Sequence, residues 1–335
     1  MQVIAEGQGP LFSNPDVEAA RAFFRTKSRA MTNKVMSVSE AVSRFVKSGD
    51  YFASGGFGTN RIATAVLHEI LRQGVQDLAI AGHTATHDFQ ILAAGNMTGR
   101  GRLMTKVDAA YIVGLEARGL SPHARRVMES GEVEICEWTN YALALRFQAA
   151  AMGVPFLPAR NIFGSDTFDR SAAKVITCPF TGLKLAAYPA LCPDVAAIHV
   201  HECDEFGNAR IRGITVADRD LACASKRVII STERLISNDE IRSDPAQPSI
   251  FGFCVDAVCV VPYGSYPGNM PYEYFSDEEH LREWLEVEKD LDAFKAFLDR
   301  NIYGASCFEE YLELHGGVKR MQALRGHELL EQGQK

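Results

Sequence analysis

The chain has 335 residues, with 35 Lys and Arg against 42 Asp and Glu, a formal net charge of -7, and a hydrophobic share of 47% that is enough to fill a substantial core. That size suits one large α/β domain or two small ones, and the acidic balance, with no basic run interleaved with aromatics, argues against a nucleic-acid surface. Eight cysteines without a Cys-x-x-Cys read as buried, reduced thiols, and with no leader-like start and no apolar stretch of membrane length a soluble, cytoplasmic protein is expected.

Asn14-Pro15 can cap a short helix over about 16–29, and residues 1–33 are taken as an N-terminal extension. Ser37-Val38-Ser39-Glu40 has capping-box spacing and opens a helix that stops at Gly49. Apolar strands then alternate with amphipathic helices: strand 51–54, helix 61–73, strand 78–82, helix 87–94, strand 107–113, helix 122–130, strand 132–136 and helix 139–152. A run of strands over 173–212 follows, with further strands at 195–200, 227–231 and 255–261. The expected fold is an open, mainly parallel sheet with helices on both faces over 34–275. A C-terminal helical segment, 276–335, carries Leu281, Trp284, Leu291, Phe294 and Leu298 as an apolar stripe that packs on the core or on another polypeptide of the assembly.

The stretch from Tyr51 to Arg61 reads as a buried strand entering a glycine-rich turn and then a helix. Free amides at Gly56, Phe57 and Gly58 could hold a carboxylate, phosphate or oxyanion; a tight turn that binds nothing is the competing reading. Arg61, at the expected first helical turn, could orient a carboxylate or sit exposed without a role. A second loop, Gly82 to Asp88, offers His83, Thr84 and His87 to a substrate at the sheet edge. Thr86 or Asp88 could simply cap the next helix, and two histidines without a third ligand do not make a zinc site, so no metal is expected. His199 and His201 alternate with apolar residues and are read as facing opposite sides, or with one of them in the core, His199 being the better candidate for a satisfied core residue. Asp204 to Asn208 is read as a turn.

Several segments, in this order, resemble the A subunit of family I CoA-transferases, glutaconate CoA-transferase most nearly. They are Ser48-Gly49-Asp50 leading to Gly55-Gly56-Phe57, the stretch 69–78, the stretch 149–158, Ile236 to Arg242, and Cys254 to Val258. The general signature continues to a Gly-x-Pro where this chain has Asn60-Arg61-Ile62-Ala63; the glutaconate branch shares an Arg at this point.

The resemblance implies transfer of CoA from an acyl-CoA to a free carboxylate, through an anhydride and then a thioester on a glutamate of a B-type subunit. The Glu-x-Gly matches here, at Glu129, Glu205 and Glu331, read as a helix end, a turn and a tail, so this chain is expected to need that partner. Its own part would be to bind the coenzyme A thioester and stabilise charge on the acyl oxygen. A third loop, 114–119, replaces a small polar loop of the glutaconate enzyme with Leu115, Glu116 and Arg118, and Arg118 could pair a distal carboxylate or only Glu116. Glu137 matches an acidic position of the family and is expected in a supporting catalytic role, a salt-bridged strand end being the alternative. The same resemblance leaves open a ring-opening hydrolase or decarboxylase of CoA thioesters. A regulatory binding module on a related fold would instead bind ligand as a homomer.

Overall fold

A computed structural model describes residues 2–97, 101–112 and 118–333. In chain order its elements are β1 (Val3–Glu6), α1 (Val17–Thr26), α2 (Val38–Phe45), β2 (Tyr51–Ser54), α3 (Thr64–Arg72), β3 (Leu78–Gly82), α4 (His87–Ala94), β4 (Met104–Ala109), α5 (Pro122–Glu129), β5 (Glu134–Glu137), α6 (Asn140–Met152) and β6 (Phe156–Ala159). There follow α7 (Asp166–Asp169), β7 (Lys174–Thr177), β8 (Lys184–Pro189), β9 (Val195–Cys203), β10 (Ala209–Arg210), α8 (Asp218–Ala224), β11 (Arg227–Leu235), α9 (Asn238–Ser243) and β12 (Ala257–Val260). The last segment is helical, with α10 (Glu278–Val287), α11 (Leu291–Leu298), α12 (Phe308–Leu314) and α13 (Gly317–Gly333).

The main sheet runs β12-β11-β9-β2-β3-β4-β5, all parallel, with β10 added antiparallel to β9. Its central strands are apolar on both sides because both faces are covered: all four residues of β2, five of β3 and nine of β9 are buried. Helices α2 to α5 and the C-terminal helices pack one face. On the other lie α6, α8 and a four-stranded antiparallel sheet in the order β1-β7-β8-β6.

Three expectations change here. Residues 1–33 are part of the fold: β1 pairs with β7, and Lys27 places its ammonium 2.7 Å from Asp256 beside the start of β12. The strand expected at 107–113 is β4, which starts at Met104 and ends at Ala109, because Tyr111 takes a positive φ of 54° that no strand accepts. The polar pair Thr105-Lys106 hid its first half. Likewise the helix expected from 61 starts at Thr64, since Arg61 has a φ of 55°.

The apolar stripe of the last segment joins the main core, with Trp284, Phe294 and Leu298 fully buried, although Leu291 is exposed. Histidines are packed with it. His68 of α3 is buried edge-on to Phe308 and Tyr311, with neither ring nitrogen bonded among the described residues. Burial holds its pKa well below 6.5, takes His87 and His315 down to about 3, and takes His123 and His201 down to about 4. An imidazole that stays neutral when folded but charges at 6.5 when unfolded costs stability as pH falls from 6.5 towards the folded value. Burial acts oppositely on Asp88, raised to about 6, and Glu288, raised to about 7. Five imidazoles outweigh two carboxyls, so near pH 5 the unfolded chain should bind roughly three more protons from these groups than the folded one. The urea midpoint should therefore drop between pH 7 and pH 5; an unchanged or higher midpoint at pH 5 would show that these histidines are not buried neutral.

Candidate active site

From β2 the sheet grows through β3, β4 and β5 on one side and through β9, β11 and β12 on the other. Connections leaving β2 and β9 thus diverge, and open α/β sheets bind ligands in the crevice beyond the carboxyl ends of such a pair. The glycine turn leaves β2 at this point, with the Gly55 amide still bonded to Ala197 of β9 at 2.9 Å.

Glycine is required at position 56, where φ is 77° and a Cβ would fall 2.4 Å from the Asn60 carbonyl. Its amide donates to Asp218 Oδ1 at 2.8 Å, the Phe57 amide to the Asn60 carbonyl at 3.1 Å, and the Gly58 amide to the Thr84 carbonyl at 2.8 Å. All three amides expected to form an anion cradle are therefore occupied within the chain, and the cradle is not open in this structure. The turn is further held by Asn269, which bonds the backbone of Thr59 and Arg61 and reaches the Asn60 side chain at 2.6 Å.

Arg61 is neither exposed nor on the helix. Fully buried ahead of α3, it donates through Nη2 to Asp218 Oδ2 at 2.8 Å and to the Ile214 carbonyl at 2.7 Å. Its Nε and Nη1 have no partner among the described residues. Asp218 opens α8, so one carboxylate from the β9 side bonds both Gly56 and Arg61 from the β2 side. Sequence reasoning missed Asp218; nothing in Val216-Ala217-Asp218-Arg219-Asp220 distinguishes it from an ordinary helix-opening acid.

The second loop sits beside this turn. Thr86 donates its hydroxyl to the Gly58 carbonyl, and the Thr84 amide donates to Asn140 Oδ1 at 3.2 Å. Asn140, another residue the sequence did not single out, comes from the first turn of α6. His83 is half-buried with Nδ1 3.1 Å from the Thr84 hydroxyl; burial lowers its pKa, against the opposing pull of Asp218. The loop is capped in an unexpected sense, the Asp88 carboxylate accepting from the Thr86 amide at 2.7 Å.

Other candidates lie apart. His87 points into the core, its Nδ1 2.9 Å from Gln90 Oε1 and its ring edge-on to Trp284 of α10, so it is not presented to a substrate. Arg118 makes a two-pronged ion pair with Glu278 of α10 at 2.8 and 2.6 Å, a partner the sequence did not point to. Glu116 lies outside the described residues. Glu137 ends β5, the edge strand, and is ion-paired to Arg170 at 2.8 Å; it borders a groove of about 570 Å³ lined also by Tyr111, Ile112, Leu120, Met128 and Trp138. His199 and His201 point to the same face of β9, because residues two apart on a strand do so, and both are buried and bonded, His199 to Ser231 and Glu233 and His201 to Pro271 and Arg212. Asp204 accepts from the amides of Phe206 and Asn208, as a turn requires.

Residues 35–260 match the family model described as "Coenzyme A transferase". The A subunit of glutaconate CoA-transferase from Acidaminococcus fermentans is 33% identical over 86% of this chain and 93% of its own. The chain belongs to the coenzyme A transferase family. The crystal structure of glutaconate coenzyme A-transferase from the same organism superimposes with a TM-score of 0.81, over 87% of this chain and 95% of that one. Two further relatives are an uncharacterized protein of Archaeoglobus fulgidus, 47% identical over 99% of this chain and 73% of its own, and the A subunit of 3-oxoadipate CoA-transferase from Pseudomonas knackmussii, 33% identical over 83% and 96%. As a CoA-transferase chain of the A type, it places its glycine turn where the order of strands in the parallel sheet reverses.

Substitution R61M should destabilise the protein by roughly 3–5 kcal/mol, because Asp218 would stay buried without its counter-charge. R125A, which removes an exposed pair with Glu129, should cost less than about 1 kcal/mol. Urea unfolding of the two variants compares them, and equal costs would mean that the buried pair contributes little.

Proposed function

We propose that this chain is the A subunit of a heteromeric CoA-transferase, moving CoA from an acyl-CoA to a free carboxylate while a B-type partner supplies the nucleophilic glutamate. The observation that carries this reading is the state of five carboxylates described around the glycine turn and the ends of the neighbouring strands. Asp218 holds Arg61 and Gly56, Glu137 holds Arg170, Glu202 accepts from Arg212 and Arg234, and Glu233 accepts from His199 and Tyr274. Asp88 is buried against the Thr86 amide. A carboxylate must be unpaired and reachable to attack a thioester, and none of these is.

This chain then contributes the floor of a shared cavity. The half-buried imidazole of His83 is the group suited to a substrate carboxylate or a developing oxyanion, whereas Arg61 is fully buried and held by Asp218. Burial keeps His83 neutral near pH 7, so it would act as a hydrogen-bond donor and not as a fixed charge. A dicarboxylic acyl group is favoured, because glutaconate and 3-oxoadipate, named for two of the relatives, are both dicarboxylates. Glu137 and its groove would support the partner's loops.

Produced with a B-type subunit, the pair should exchange CoA between an acyl-CoA and a dicarboxylate. Incubated with acyl-CoA alone, it should carry a CoA thioester on the partner, seen by intact mass. CoA transfer by the isolated chain, or the adduct on this chain, would overturn the assignment.

A further inference from the structure

Cys223, near the end of α8, and Cys254, in the 3-10 turn Gly252–Cys254 before β12, bring their sulfurs to 3.9 Å. We propose that Cys223 and Cys254 are a modification site, a dithiol that reacts with hydroperoxides and closes to an intramolecular disulfide. Both are free thiols in the structure, and they come from segments 31 residues apart that only the tertiary fold brings together.

The two sulfurs are not equivalent. Cys254 is buried, whereas Cys223 is only partly buried. The Cys254 thiol lies within hydrogen-bond reach of the Cys223 sulfur. The Arg219 guanidinium, one turn earlier on α8, is held over the Phe251 ring at 5.3 Å, leaving a positive charge near Cys223. The hydrogen bond shared with Cys254 and then Arg219 draw the Cys223 thiol down, against burial and Asp220, while the same contact and burial push Cys254 up. Cys136, Cys192 and Cys259, by contrast, are pushed up to about 12, 11 and 12 by burial and are poor nucleophiles.

Oxidation proceeds in two steps. The Cys223 thiolate attacks one peroxide oxygen, the O–O bond breaks, and the leaving hydroxide takes a proton to become water; sulfur is oxidised to the sulfenic acid as peroxide is reduced. Cys254 then loses its proton and its sulfur attacks that of Cys223, releasing the hydroxyl as a second water. Two thiols and one peroxide yield one disulfide and two waters. The sulfurs must close from 3.9 Å to the ~2.05 Å of the bond. The new bond would tie α8, whose first residue is Asp218, to the segment entering β12.

The test uses the full chain treated with one equivalent of hydrogen peroxide, alkylated, digested without reductant and examined by mass spectrometry. The tryptic peptide that starts at Asp220 should appear joined to the one that starts at Ser243, and the link should vanish after dithiothreitol. Because the second peptide holds both Cys254 and Cys259, C259S should keep the link and C254S should lose it. In C254S, Cys223 should instead be trapped as a sulfenic acid by dimedone. Free Cys223 and Cys254 after treatment, a link that survives in C254S, or Cys223 oxidised without pairing in the unaltered chain would each overturn the proposal.

Discussion

Asp218 stands where the two halves of the main sheet part, and its two oxygens bond two different elements, the Gly56 amide and the Arg61 guanidinium. Burying a carboxylate and a guanidinium is costly, and only close geometry with added hydrogen bonds offsets it. The rest of the site inherits that constraint. Gly56 has to be glycine, Arg61 has to leave the helix and take a positive φ, and the turn between them has to satisfy its own amides. What would otherwise be an open anion cradle becomes a rigid support, with the neighbouring loop of Thr84 and Thr86 bonded onto it.

A second polar cluster does the same work deeper in the sheet. Asp108 of β4 accepts from Tyr51 of β2 and from the indole of Trp138, and pairs with Arg146 of α6, whose guanidinium lies over the Trp138 ring at 4.2 Å. Asp108 and Arg146 match each other's charge, so the cluster locks α6 against the sheet and with it Asn140, which holds the Thr84 amide. On the opposite face the C-terminal helices enclose His87 and meet Arg118 through Glu278. Two residues that looked like substrate contacts are thereby part of the joint between the α/β layer and the terminal helices.

The site was legible in part. Strand-turn-helix junctions at 51–61 and 82–88 announced themselves through glycine and apolar runs, and the structure brings them together as neighbours. Their interior could not be read, because a backbone amide looks alike in sequence whether it faces a ligand or a carbonyl three residues away. Arg61 shows the same limit: its type is visible, whereas its partner is 157 positions along the chain. Glu137 was seen as a strand end with either a catalytic or a salt-bridged fate, and Arg170 supplies the bridge without excluding a role beside the groove.

The pattern of apolar strands and amphipathic helices by itself determined the α/β class and the parallel sheet, since an unbroken apolar strand needs cover on both faces. It also carried the family, because the matching segments are local and keep their order. Tertiary structure alone decided the strand order, and hence the switch point at β2 and β9. It also decided that β1 belongs to a second sheet, and which of the histidines, arginines and acids meet one another. Those outcomes depend on contacts between residues distant in the chain, whose free energy is defined only once the layers have packed.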